Sequence, residues 1–584
     1  MRYYSLCEVQ KMNSKVNLKA KPFCLSDEQI RWVEETIDHM DLDGKLGQLF
    51  LPLVLDPVEE TIEKLERIGL QPGGILLRAD RSSRIREKIA LFQERAAIPM
   101  LIAGDLDRGS FNMISDGTQY GHEMLLAASG DPEMAYRGGK ILGEECCAVG
   151  ANWNFGPVVD IDFNPFNPVT NVRTFGSDPE RVRKFALASC RGMRDGGVLP
   201  CAKHFPGDGV DGRDQHFLSS VNTLSIEEWD ATYGKIYQAL IDDGLETIMT
   251  AHIMQPAYTK KFSPETRDED ILPGSLSREL NVKLLREQMG FNGLLVTDAS
   301  GMAGFMDVLP RSAAVPAAIA SGADIFLFSR DLEEDFCSMK AGYEQGVLTE
   351  ERLHEALERI LGMKAKLGLP EKKAAGTLVP PESALEIFGN AEHRAFAEEA
   401  ADKGITLVKD TQHLLPLTPE KYGRLFVIPM NVSPNYHNPE GGYERRFVKD
   451  LEERGFTVHL YDGSAADNYL IGKSPIREFR NQFDAIIYFM NVATSGSDSA
   501  VRISWPGLRV TITNMIHDVP TMMVSIDNPY HLMDAPRIPT YVNAYNSSDL
   551  VVDMLVKKLT GESAFRGVSP VDAFVKKYFF NTDK

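Results

Sequence analysis

The stretch GLLVTDAS, residues 293–300, decides the fold. Three apolar residues follow a glycine, and the run ends on a threonine and an aspartate. A run this short, bounded by a turn former on one side and a polar residue on the other, reads as a strand buried on both faces of a parallel sheet. The same form recurs as LGQLFLPLVL (46–55), GGILLR (73–78), PMLIAGDL (99–106), ANWNFGPVVDID (151–162), VLPCAKHFP (198–206), TIMTAHIM (247–254) and ADIFLFS (323–329). Between the runs lie helical patterns such as PEMAYRGGKILGEECCAVG (132–150) and PERVRKFALASCRGMRDGG (179–197), with apolar residues at spacings of three and four and a glycine at the end. Eight such units over residues 27–370 predict a TIM-like (β/α)8 barrel.

Polar residues collect where the apolar runs end: Asp105, Asp160 and Asp162, Lys203 and His204, His252, and Asp298. In a barrel these ends share one face, where barrel enzymes build their sites. TEERLHEALERILGMKAKLGL (349–369) reads as the last barrel helix, and the charged, proline-bearing residues 371–395 as a linker. The runs RLFVIPM (424–430), FTVHLYD (456–462), FDAIIYFM (483–490) and PTMMVSID (520–527) predict a smaller α/β sandwich domain over 396–584. Residues 1–26 form an N-terminal extension.

The 584 residues carry 63 Lys and Arg against 83 Asp and Glu, a formal charge of -20 that repels nucleic acid and anionic membrane surfaces. Neither is expected as a partner. The cysteines (7, 24, 146, 147, 190, 201 and 337) show no C-x-x-C spacing and read as free thiols in a reducing compartment. The opening residues lack the apolar run of a signal peptide, so a cytoplasmic protein is expected, as a monomer or homodimer. No zinc or calcium spacing, phosphate-binding glycine loop or G-x-S-x-G elbow is present, so neither a metal nor any other cofactor is expected.

What remains is acid and imidazole chemistry. KHFPGDGVDGRDQH (203–216) has a loop composition, and within it Asp214 and His216 stand two apart, close enough for the carboxylate to hold the imidazole Nδ1 proton. Asp298 would be an ionised carboxylate across the barrel mouth. A carboxylate facing a group that gives and then takes a proton suits double-displacement glycosyl transfer. On spacing alone, a structural Asp–His contact in a solvated loop fits the same residues.

With AKHFPGDG…DQH, NWNFGPVVDIDFNPFNPVTNVRTFG, MTAHI and LSRELNVKLLREQMGFNGLLVTDASGM in order, and AADKGITLVKD and VSIDNPYHL beyond, the chain resembles glycoside hydrolase family 3, in particular its β-N-acetylglucosaminidase branch. The resemblance implies that Asp298 is the nucleophile, His216 the acid and base, and Asp214 its partner. It assigns sugar hydroxyls to Asp105, Arg173, Lys203 and His204. It further implies a retaining exo-β-N-acetylhexosaminidase, releasing terminal N-acetylglucosamine from cell-wall or chitin-type oligosaccharides. The alternatives are a phosphorylase, a β-glucosidase of the same family, and a carbohydrate-binding protein on a decayed barrel. Two departures stand out: Asp208 replaces the histidine of KHFPGHG, and GDLDRGSFNM (104–113) leaves Met113 near a position where an arginine often binds sugar.

Overall fold

The computed structural model describes residues 16–430, 442–493, 502–503 and 513–576; Cys7 and most of the N-terminal extension lie outside these. Two compact units interleave in sequence. The first holds the described residues up to Thr118 with Tyr136–Asp160 and Ala186–Asn390; the second holds Gln119–Ala135, Ile161–Phe185 and the described residues from Ala391 on. The units are therefore not separated by one cut within 371–395. That stretch is itself partly helical, with a 3-10 segment at Glu382–Ile387.

In the first unit the strands are β1 (Phe50–Leu51, resuming past Pro52 as Leu53–Val54), β2 (Gly74–Leu77), β3 (Leu101–Gly104), β4 (Trp153–Asn154), β5 (Leu199–Phe205), β6 (Thr247–Thr250), β7 (Leu294–Thr297) and β8 (Phe326–Leu327). Each pairs in parallel with the next, an Ile325 bridge to Val296 ties β8 to β7, and Phe50 pairs with Phe326 to close the ring. All eight carboxyl ends therefore open on one face. The four residues of β2, of β3 and of β7 are all buried, as strands covered on both sides require.

Charge closes the ring at its other face. Asp324, just before β8, accepts the Leu295 N–H at 2.9 Å and receives Arg286 at 2.8 Å, with Arg352 and Arg359 of α3 (Glu350–Lys366) on its second oxygen. Burial alone would raise this carboxyl, but the three guanidinium groups hold it below its ordinary value. The helices α1 (Pro132–Val149) and α2 (Pro179–Asp195) explain the glycines of RGGKILGEE without a ligand. A Cβ on Gly139 would meet Ser189 O at 2.5 Å, and one on Gly192 would meet Tyr136 O at 1.9 Å, so these glycines let two helix backbones touch.

In the second unit, β9 (Thr406–Asp410), β10 (Arg424–Met430), β11 (Thr457–Leu460), β12 (Ala485–Met490), β13 (Thr521–Ser525) and β14 (Thr540–Asn543) form a sheet of order β9-β14-β13-β12-β10-β11, parallel except for β9. Side chains alternate between two cores: Leu425, Val427, Ile487 and Phe489 face one, Phe426, Ile428, Ile486 and Tyr488 the other. Among the described residues no helix is long and apolar enough to cross a membrane.

Replacing Asp324 by Asn removes the anion shared by three buried guanidinium groups and should lower the unfolding free energy by about 3–5 kcal/mol. Urea unfolding checks this, and a loss under ~1 kcal/mol would remove the cluster as the lock on the barrel.

Candidate active site

Of the residues singled out at strand ends, all but Asp162 belong to the barrel unit. Asp105 follows β3 and keeps its side chain 58% exposed, while Lys203 of β5 is nearly sealed and donates to Asp105 Oδ1 at 2.5 Å. Asn154 of β4 braces this corner by accepting from Leu106 N and donating to Leu106 O, both at 3.1 Å. The pairing of β5 with β6 shifts register between Ala202 and Phe205. That irregularity falls on Lys203 and His204, and a bulge of this kind re-aims side chains.

His204 is fixed by an acid that the sequence marked only as a strand end. Asp160 accepts the His204 N–H at 3.1 Å and the Asp208 N–H at 2.7 Å, and binds His204 Nδ1 at 2.6 Å. With Nδ1 engaged, the Nε2 side of the ring is left for other work.

Of the stretch 203–216, expected as a loop, Lys203–Phe205 end strand β5 and only the residues from Pro206 on form the loop, which is docked rather than loose. Gln215, fully buried, accepts from His252 N at 3.0 Å and donates to Asp208 at 3.4 Å. The carbonyls of Gln215 and His216 accept from Gly304 N and Ala303 N at 3.1 and 3.0 Å. Asp208, the departure noted above, is thus a buried anchor for the loop, and Tyr233 also donates to its carbonyl. Asp214, also buried, binds His216 Nδ1 at 2.6 Å and accepts the His216 N–H at 2.9 Å, while the imidazole keeps 30% of its surface open.

Asp298 caps β7, with Ala299 N–H on its Oδ1 at 2.7 Å. Burial would raise its carboxyl, but His204, His252, that N–H and His216 together hold it below the ordinary carboxylate value, so it is ionised at neutral pH. His252 is a strut: Nδ1 lies 2.7 Å from Ser275 Oγ and Nε2 2.9 Å from Ala299 O. Such a ring is satisfied when neutral, and burial accordingly pushes its pKa below 6.5.

Asp105, Lys203, His204, Asp214, His216 and Asp298 all belong to the first unit. Arg173 belongs to the second, on the turn Asn171–Arg173, where it donates to Val169 O at 3.1 Å. Asp162 likewise belongs there and accepts from Thr170 at 2.7 Å and Tyr530 at 2.5 Å. Met113 is buried in the barrel core; the same segment carries Arg108, also buried and bonded to Asn112 at 2.8 Å. Sequence reasoning missed Asn154 and Gln215. The one signal for Gln215 was its place between Asp214 and His216.

Residues 41–363 match the family described as glycosyl hydrolase family 3 N terminal domain. The chain is 42% identical over 562 residues to a beta-N-acetylglucosaminidase/beta-glucosidase of Cellulomonas fimi, covering 96% of this chain and 98% of that protein. It is 30% identical over 380 residues to beta-hexosaminidase A of Pseudoalteromonas piscicida, covering 59% and 60%. Among solved structures it is similar to a beta-glucoside phosphorylase, BglX, bound to 2FGlc, with a TM-score of 0.90 and 43% identity over 95% of this chain and 99% of that one. It is also similar to a family 3 beta-N-acetylglucosaminidase from Paenibacillus sp., with a TM-score of 0.76 and 26% identity over 92% and 99%.

Because His252 has a folded pKa below its unfolded value near 6.5, its contribution to stability is present above that pH and is lost as pH falls through the lower, folded value. The drop in urea midpoint from about pH 7.5 to about pH 5 should be smaller in His252→Gln than in the wild type. An equal drop in both would show that the ring does not titrate as described.

Proposed function

Because this chain belongs to glycosyl hydrolase family 3, we propose that it is a retaining, exo-acting β-glycosidase that removes terminal β-linked N-acetylglucosamine from cell-wall or chitin-type oligosaccharides. The observation that carries this reading is the contrast between two groups in the barrel mouth. One is a carboxylate kept ionised against burial, Asp298. The other is an imidazole whose Nδ1 is engaged by the buried Asp214 and whose ring stays partly open, His216. The names carried by the Cellulomonas and Paenibacillus proteins support the substrate class.

In the first step an Asp298 oxygen bonds to the anomeric carbon as the glycosidic bond breaks, and His216 Nε2 gives its proton to the departing oxygen. In the second, water bonds to that carbon, its proton returns to Nε2, and the electron pair of the breaking ester bond returns to Asp298. Asp214 orients the ring and stabilises the imidazolium. An imidazole serves here without deep burial because its ordinary pKa lies near neutrality. Asp105, Lys203 and His204 supply acceptors and donors for sugar hydroxyls, and Arg173 is proposed for the same task.

A second reading is phosphorolysis, with phosphate replacing water. It is favoured by the similarity to a protein named as a beta-glucoside phosphorylase and by the chemistry of a base that, unlike a carboxylate, does not repel an incoming anion. Assay of free sugar against sugar phosphate, with and without phosphate, separates the two. Aryl glycosides differing only in acetamido against hydroxyl at carbon 2 separate the glucosaminidase from the glucosidase.

Asp298→Ala should lower turnover of an aryl β-N-acetylglucosaminide by roughly 10³-fold or more without loss of fold; near-normal turnover refutes the nucleophile. His216→Ala should cost about 10²–10⁴-fold with a poor leaving group and much less with one that needs no proton. Equal losses for both leaving groups would remove the acid role.

A further inference from the structure

The loops after β7 and β8 enclose a cavity of about 400 Å³ whose lining includes Ala299, Met302, Met306, Phe328, Ser329 and Arg330. Its place is set by both reactive groups. Ala299 is the residue after Asp298, and the turn Ala303–Met306, whose N-terminal end takes the carbonyls of Gln215 and His216, follows directly on Met302. The cavity thus borders the segments that carry both reactive groups.

The lining is chemically lopsided. It contains no carboxylate, in a chain of net charge -20. Its one charged side chain is Arg330, which is exposed and has no carboxylate partner among the described residues, whereas its neighbours are neutralised: Arg311 by Asp335 at 2.6 Å and Lys64 by Asp331 at 2.8 Å. The backbone leading to it is held in a costly shape. Phe328 has φ +48°, a left-handed conformation that a bulky side chain adopts only where the surroundings impose it. Ser300 donates to the Phe328 carbonyl and is in turn held by Arg311 at 2.9 Å. An exposed apolar group stands in the lining, Met306 at 42%. The loops after the last two strands of such barrels are also where oxyanions are commonly bound.

We propose that this cavity receives the departing group, and its replacement, with a preference for an oxyanion conferred by Arg330. The inference rests on the roles given above to Asp298 and His216. The shared chemistry is an anionic oxygen set on apolar walls, and two sources supply it: a carboxylate borne by the departing group, or free phosphate acting as acceptor. In the latter case a phosphate oxygen bonds to the anomeric carbon, the carbon–Asp298 ester bond breaks with its electron pair returning to the carboxylate, and any proton on the attacking oxygen passes to His216 Nε2.

The test compares wild type, Arg330→Gln and Arg330→Lys on two readouts. The first is the ratio of kcat/KM for aryl glycosides with carboxylate-bearing and neutral leaving groups of matched acidity. The second is the acceleration of intermediate breakdown by inorganic phosphate. We expect wild type to show about a tenfold advantage in at least one readout, Gln to bring it to about one, and Lys to restore part of it. An effect in the first readout alone identifies the departing group as the source, and in the second alone, phosphate. The proposal is overturned if wild type shows neither advantage, or if Gln keeps it. Absence of any turnover by wild type would instead strike the underlying reading, and the proposal with it.

Discussion

The site depends on a carboxylate that stays charged where its surroundings favour the neutral acid. Burial pushes Asp298 toward protonation, and its surroundings, His204 first among the imidazoles and the Ala299 N–H with them, reverse that preference. Each contributor is held by something else: His204 by Asp160, His216 by Asp214, and His252 by Ser275 and Ala299. The barrel supplies what this requires, since parallel closure from β1 to β8 delivers every strand end to one face.

Orientation of rings by buried acids is used twice at the barrel mouth. Asp160 and Asp214 each bind an Nδ1 at 2.6 Å and each also accept backbone N–H groups, so ring and main chain are fixed by one anion. An acid that satisfies several donors in a closed space is costly to remove and difficult to replace. Asp208 belongs to the same scheme. A buried aspartate here ties Gln215 to the loop's start and helps to dock the loop.

Much of this was legible in the residues. Apolar runs ending in polar groups mark buried parallel strands for a physical reason: both faces are covered, so polarity can appear only where the strand stops. Asp214 and His216 were legible because two residues is the reach of a carboxylate to the next ring but one. Asp160 as the partner of His204 was not, since 44 residues separate them and it is the bridge between Val158 and Lys203 that brings their segments together. Nor was the fate of Arg173 and Asp162, whose segment belongs to the second unit through contacts with residues near 530 and 570. Local pattern carries no trace of such distant packing.

That interleaving has a consequence for synthesis of the chain on the ribosome. Met124, Leu125, Ala128 and Val172 share a core with Ala401, Ile405 and Val552. Their partners emerge roughly 200 residues or more later, which at 5–20 residues per second is a delay of about 10–40 s. During that interval two apolar segments, interspersed in sequence with those of the barrel, have nothing to bury against. Holding them out of trouble is a task for chaperones, and a message broken off near codon 390 would yield a polypeptide that stays permanently in that state.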